Sequence, residues 1–208
     1  MNNPFSPNSG ASSAPELIPA GTLAWAILTV QGSRQSKETS GTYYNVALTL
    51  VGGQYEGRKV FEMIPDVYDT RNSAKWTSIA VKNITRIFES SGWFKPSDPK
   101  TYDAFVGKPF DQIMLGMDGQ RVAIRIKIEE SKDPAYADKN KVGEWLSPNP
   151  ASGGYKDYQK LIGGQQAVDT ARSGAFAPQA APQAQQASPS FGQGPGWIKN
   201  PGSSNAPF

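Results

Sequence analysis

Between Arg121 and Glu129 the chain alternates strictly. Val122, Ile124, Ile126 and Ile128 fall on one parity; Arg121, Ala123, Arg125, Lys127 and Glu129 fall on the other. Such alternation predicts a strand with one face in a core and the other turned outward. Of its three outward cations, Arg125 and Lys127 stand about 6.5–7 Å apart, two strand rises, and Arg121 stands about twice that distance from Arg125, beyond Ala123. An extended polyanion carries charges at a comparable repeat, so the face suits a phosphate backbone. It suits an ordinary solvated surface equally well, and other residues must decide.

Those residues are cations mixed with flat rings. Arg34 and Lys37 lie in the polar stretch 32–41, just ahead of Tyr43. Arg58 and Lys59 precede Phe61, and Lys59, Phe61 and Met63 share one parity. Lys139 and Lys141 form a basic turn. Trp25 sits in the apolar run 23–30 and reads first as core, second as a stacking platform. Cations that follow a backbone, with rings on which bases stack, are the means of gripping single-stranded nucleic acid. The expected site is Trp25, Arg34, Lys37, Tyr43, Arg58, Lys59, Phe61, Arg121, Arg125, Lys127, Lys139 and Lys141. The helix cations Lys75, Lys82 and Arg86 read as a solvated face and stay outside it.

Catalysis finds little support. The chain has no histidine and no cysteine, so the commonest general base and the commonest soft metal ligands are missing. Asp66 with Glu129 or Glu130 and Lys132 makes only a stretched nuclease-like pattern, with acids far apart in sequence. No glycine-rich phosphate cradle of the Gly-Lys-Ser/Thr type occurs. The expectation is a non-enzyme that needs no cofactor or metal.

The elements that must position these residues follow from periodicity and turn chemistry. Strands are predicted over 23–30, 43–51, 58–64, 109–116 and 121–129, with an edge strand at 142–146. Tyr44, Val46, Leu48 and Leu50 form the inward parity of the second. A helix is predicted over 74–90, capped by Asn72 or Ser73, with Trp76, Ala80, Ile84, Ile87 and Phe88 as its apolar stripe. One helical turn fits 102–108. Asp118-Gly119 signals a two-residue hairpin. Five antiparallel strands with a helix between the third and fourth is the order of the OB barrel.

Composition divides the chain. Residues 1–16 are almost free of charge, and residues 163–208 carry only Asp169, Arg172 and Lys199 among Gly, Ala, Pro, Gln and Ser. Both ends are expected to be disordered, leaving 17–162 as the folded domain. Trp197, Pro207 and Phe208 make the tail a candidate handle for partner proteins. The net charge of +3 permits an anionic partner. The absence of cysteine, of a secretory signal and of any long apolar run fits a cytoplasmic protein without a membrane partner. Homo-oligomerisation stays open.

Five short motifs in order add a resemblance. They are Pro19-Ala20-Gly21-Thr22, Tyr43-Tyr44-Asn45-Val46-Ala47-Leu48, Gly53-Gln54-Tyr55-Glu56-Gly57-Arg58-Lys59-Val60, Gly107-Lys108-Pro109-Phe110 and Lys139-Asn140-Lys141-Val142. Over residues 18–146 the chain resembles the single-stranded-DNA-binding proteins encoded by phages and plasmids. The resemblance implies an OB fold and a role in replication, recombination or repair, with the host cytoplasm as location. It also implies that the tail recruits replication or recombination proteins. One departure stands out: the family's acidic tip is missing ahead of Pro207-Phe208.

Overall fold

The computed structural model describes residues 16–174, with side chains through residue 164. Trp197, Pro207, Phe208 and the arm 1–15 lie outside the described residues. Five segments form strands: β1 (Leu23–Gln35), β2 (Thr42–Val51), β3 (Lys59–Pro65), β4 (Arg121–Glu129) and β5 (Lys139–Trp145). They join in one antiparallel sheet of order β3-β2-β1-β4-β5. Three helices accompany them: α1 (Ala74–Ser90), α2 (Phe110–Met117) and α3 (Tyr155–Gly174), with a 3₁₀ helix over Pro99–Phe105.

The inward parity of each strand supplies the core. Ala26, Leu28, Val46, Leu48, Val60, Val122, Ile124 and Ile126 are buried there against Ala80, Ile84, Ile87 and Phe88 of α1. Burying each of the larger side chains contributes about 1.5–3 kcal/mol. The Ser73 hydroxyl accepts from Trp76 N–H and so starts α1. The stripe read from the sequence is the buried one, except that Trp76 is half-buried and packs on Tyr43, ring centroids 6.2 Å apart.

The sheet is open in its backbone pairing, yet its edges meet. Glu62 Oε1 of β3 accepts from Val142 N–H of β5 at 2.8 Å, and Lys141 Nζ donates to Phe61 O at 3.0 Å. Side chains therefore close the seam that a backbone ladder would otherwise close.

Three expectations are corrected. The strand predicted over 109–116 is helix α2. Phe110, Ile113, Met114 and Met117 are its buried residues, and their spacing is helical. Asp118-Gly119 is accordingly no hairpin. Gly119 takes φ +74 and links α2 to β4, while Asp118 Oδ1 accepts from Val30 N–H. The edge strand expected at 142–146 begins earlier and serves as the fifth strand. Beyond β5, α3 runs from Tyr155 to Gly174.

Candidate nucleic-acid interface

Pairing registers decide which side chains share a surface, because residues opposite each other in antiparallel strands point the same way. On the outer face of β1, β2 and β3 they form rows. Arg34, Tyr43 and Pro65 make one row; Gly32, Asn45 and Met63 the next; Thr29, Ala47 and Phe61 a third; Ile27, Thr49 and Lys59 a fourth. Four residues predicted for the site, Arg34, Tyr43, Lys59 and Phe61, thus lie on one wall. Phe61 is 50% exposed and Met63 49%, large values for apolar side chains on a sheet. Lys37 is exposed in the β1–β2 turn.

Beside this wall runs a groove of about 710 Å³ along the β3–β5 seam. Arg58, Lys59 and Phe61 line it from one side, Lys139 and Lys141 from the other. Lys59 and Lys139 make no hydrogen bond or ion pair among the described residues. Arg58 lies 5.8 Å from the centroid of Tyr55. Lys127 is exposed, with Lys141 as its register partner on β5. Lys141 itself is held in the seam, its Nζ 3.7 Å from Glu62 Oε2. Burial pushes the Glu62 carboxyl above the usual carboxylate range, against the opposing pull of Lys141 and of Val142 N–H.

The cationic strand that stood first in the sequence reading divides. α3 packs across β1 and β4, where Ala123, Leu146 and Tyr158 form a second buried cluster with Leu23, Trp25, Leu161 and Ile162 against it. Arg125 Nη2 pairs with Glu144 Oε2 at 2.5 Å and Nη1 with Asp157 Oδ2 at 2.8 Å. Lys160 and then Arg125 hold the Asp157 carboxyl below its ordinary range. Trp25 meets Tyr158 edge-on at 5.9 Å, and the Arg121 guanidinium lies 4.4 Å from the Trp25 ring centroid. Trp25, Arg121 and Arg125 therefore lie apart from the groove, Trp25 and Arg125 half-buried and Arg121 exposed. The cover is a helix whose acid lies 32 residues beyond its partner.

The groove also has members that the sequence reading passed over. Asn45, Met63, Asn140 and the acids Glu62 and Asp138 line it, as does Glu129 of the nuclease-like pattern. Parity had already put Met63 and Asn45 on the outward side, but neither is charged or aromatic. The acids of the nuclease-like pattern lie apart: Asp66 Oδ1 accepts from Tyr68 N–H just beyond β3, whereas Glu129 and Glu130 sit at the end of β4. No group of three metal-ligating side chains gathers among the described residues. None of their helices is long and apolar enough to cross a membrane. Neither protein-family models nor curated protein sequences give a match to this chain.

Proposed function

We propose that the chain binds single-stranded DNA without sequence specificity, through an OB-type barrel whose β2–β3 wall and β3–β5 groove hold the strand. One observation carries this reading: a groove flanked by cations from two strands opens beside a wall bearing a half-exposed phenylalanine. Cations would follow the phosphates and Phe61 would stack a base. OB barrels present ligands on this wall and on the loops after their first and fourth strands. Arg34 and Lys37 lie at the first of these, Lys139 after the second. The strand order, with α1 between β3 and β4, supports the OB assignment. The family resemblance supports a role in replication, recombination or repair in a host cytoplasm, without catalysis.

The test is a gel-shift series with single-stranded DNA, duplex DNA and single-stranded RNA of equal length at two salt concentrations. Single-stranded DNA should bind best, and its affinity should fall steeply with salt. A flat salt response, or equal binding of the duplex, overturns the reading.

A second reading has its own observation. Trp93, Val106 and Leu115 are 46%, 72% and 73% exposed around the α1 end and α2, a patch that suits a protein partner. Dye-labelled oligo-dT should gain fluorescence anisotropy on titration with the chain under the first reading and show no change under the second.

A further inference from the structure

Asn45 stands on the outer face of β2 with Gly32 as its register partner on β1 and Met63 on β3. Along its own strand the same face carries Tyr43 and Ala47. A carboxamide offers two donors and one two-lone-pair acceptor. On a sheet surface these normally find a cross-strand side chain. Here one neighbour has no side chain and the other is a thioether, and the Asn45 amide makes no hydrogen bond among the described residues.

The backbone keeps that amide accessible. The β1–β2 register slips between Val30 and Gly32, and Gly32 takes φ +110, a conformation that L side chains rarely adopt. A Cβ built on Gly32 would meet nothing within 4 Å, so the space beside Asn45 is open. Bulges of this kind are over-represented next to binding sites, where they re-aim or clear a surface. Phe61 lies diagonally across from Asn45, its own register partner being the small Ala47. Diagonal neighbours have Cα atoms roughly 7–8 Å apart, within reach of long or aromatic groups.

We propose that Asn45 reads the polar edge of the nucleobase that stacks on Phe61. The inference rests on the single-stranded-DNA reading and adds to it a contact with bases rather than phosphates. Every base carries neighbouring donors and acceptors on its edge, and a rotatable amide can present either group to them. The contact therefore rewards the presence of a base without naming it.

The full chain is titrated with oligo-dT, oligo-dA and oligo-dC, and with an abasic oligonucleotide of equal length. Wild type should bind the base-bearing strands more tightly than the abasic one. Asn45→Ala should weaken all three base-bearing strands by about tenfold, the scale of one hydrogen-bonded base contact, and leave the abasic strand unchanged. Asn45→Gln should recover part of the loss. Unfolding midpoints are compared first, since the outward position predicts no change in them. If Asn45→Ala binds all four strands as wild type does, or loses the abasic strand equally, Asn45 reads no base and the inference falls, while the single-stranded-DNA reading stands. If wild type binds none of the four, the single-stranded-DNA reading falls with it.

Discussion

At the scale of single residues, exposure separates side chains that can meet a ligand from those that hold the fold. Phe61→Ala removes a half-exposed ring, so unfolding should barely change. Loss of one stacked base should weaken single-stranded DNA by about 1–3 kcal/mol, measured by fluorescence titration. Lys59→Ala should lower the salt slope of binding by about 0.7, the share of one phosphate contact. Arg125→Ala should do the reverse. Its guanidinium bridges Glu144 and Asp157, side chains 18% and 17% exposed, and its removal leaves Glu144 with Arg86 and Asp157 with Lys160 as their remaining partners. Stability should drop by about 1–2 kcal/mol, between the values for exposed and buried pairs, with little change in DNA affinity. Urea unfolding beside the titration separates the two effects. No local pattern distinguishes Arg125 from Lys59, since both are cations on the outward parity of a strand. The difference lies in a distant helix, and a single strand's alternation carries no record of what packs over it.

At the scale of elements, legibility followed the strength of the period. The unbroken aliphatic parity of β4 gave its bounds residue for residue, and α1 was bounded by its cap and stripe. α2 was misread because eight residues after a proline hold apolar side chains in both registers, and Asp118-Gly119 suggested a hairpin. The β3–β5 seam was invisible for another reason: it is made by Glu62 and Lys141, side chains whose alternation predicts only facing. That seam has a pH signature. Burial raises the Glu62 carboxyl above its ordinary value of 4.5, so the folded state holds that proton more tightly than the unfolded chain. The group's stabilising contribution is full below the unfolded pKa and is lost as pH rises through the folded one. Glu62→Gln keeps an acceptor for Val142 N–H and removes the titration. Denaturant unfolding of this variant should lose that slope above pH 4.5. Its affinity for single-stranded DNA should rise, because a carboxylate leaves the groove.

At the scale of the whole molecule, the chain is one antiparallel sheet whose edge strands meet at a side-chain seam, with one open wall and one covered wall. A second polar network secures the covered side. Buried Glu89 of α1 accepts from Tyr102 hydroxyl and Asn149 Nδ2, and Ser147 hydroxyl donates to its other oxygen. This ties the segment between β5 and α3 to the core, so α3 is anchored at its start by α1. Burial, with Glu89 beside it, pushes the Tyr102 hydroxyl up to about 12 from its ordinary value of 10.0. Stability held through this group persists below pH 10 and is lost as pH rises toward about 12. The division into walls sets the strength of the electrostatic grip. A net charge of +3 gives no large general attraction, so the salt response must come from cations placed on the strand's path. With Arg121, Arg125 and Lys141 engaged elsewhere, the path keeps Arg34, Lys37, Arg58, Lys59, Lys127 and Lys139. At about 0.7 per phosphate neutralised on a single strand, these predict a slope of roughly −4 for log K against log salt. Nine cations acting together would give roughly −6. Titration of oligo-dT at four or more salt concentrations distinguishes the two values. A slope near −6 would mean that the strand also engages Arg121, Arg125 and Lys141, and would place the β4 face beside α3 in the binding path.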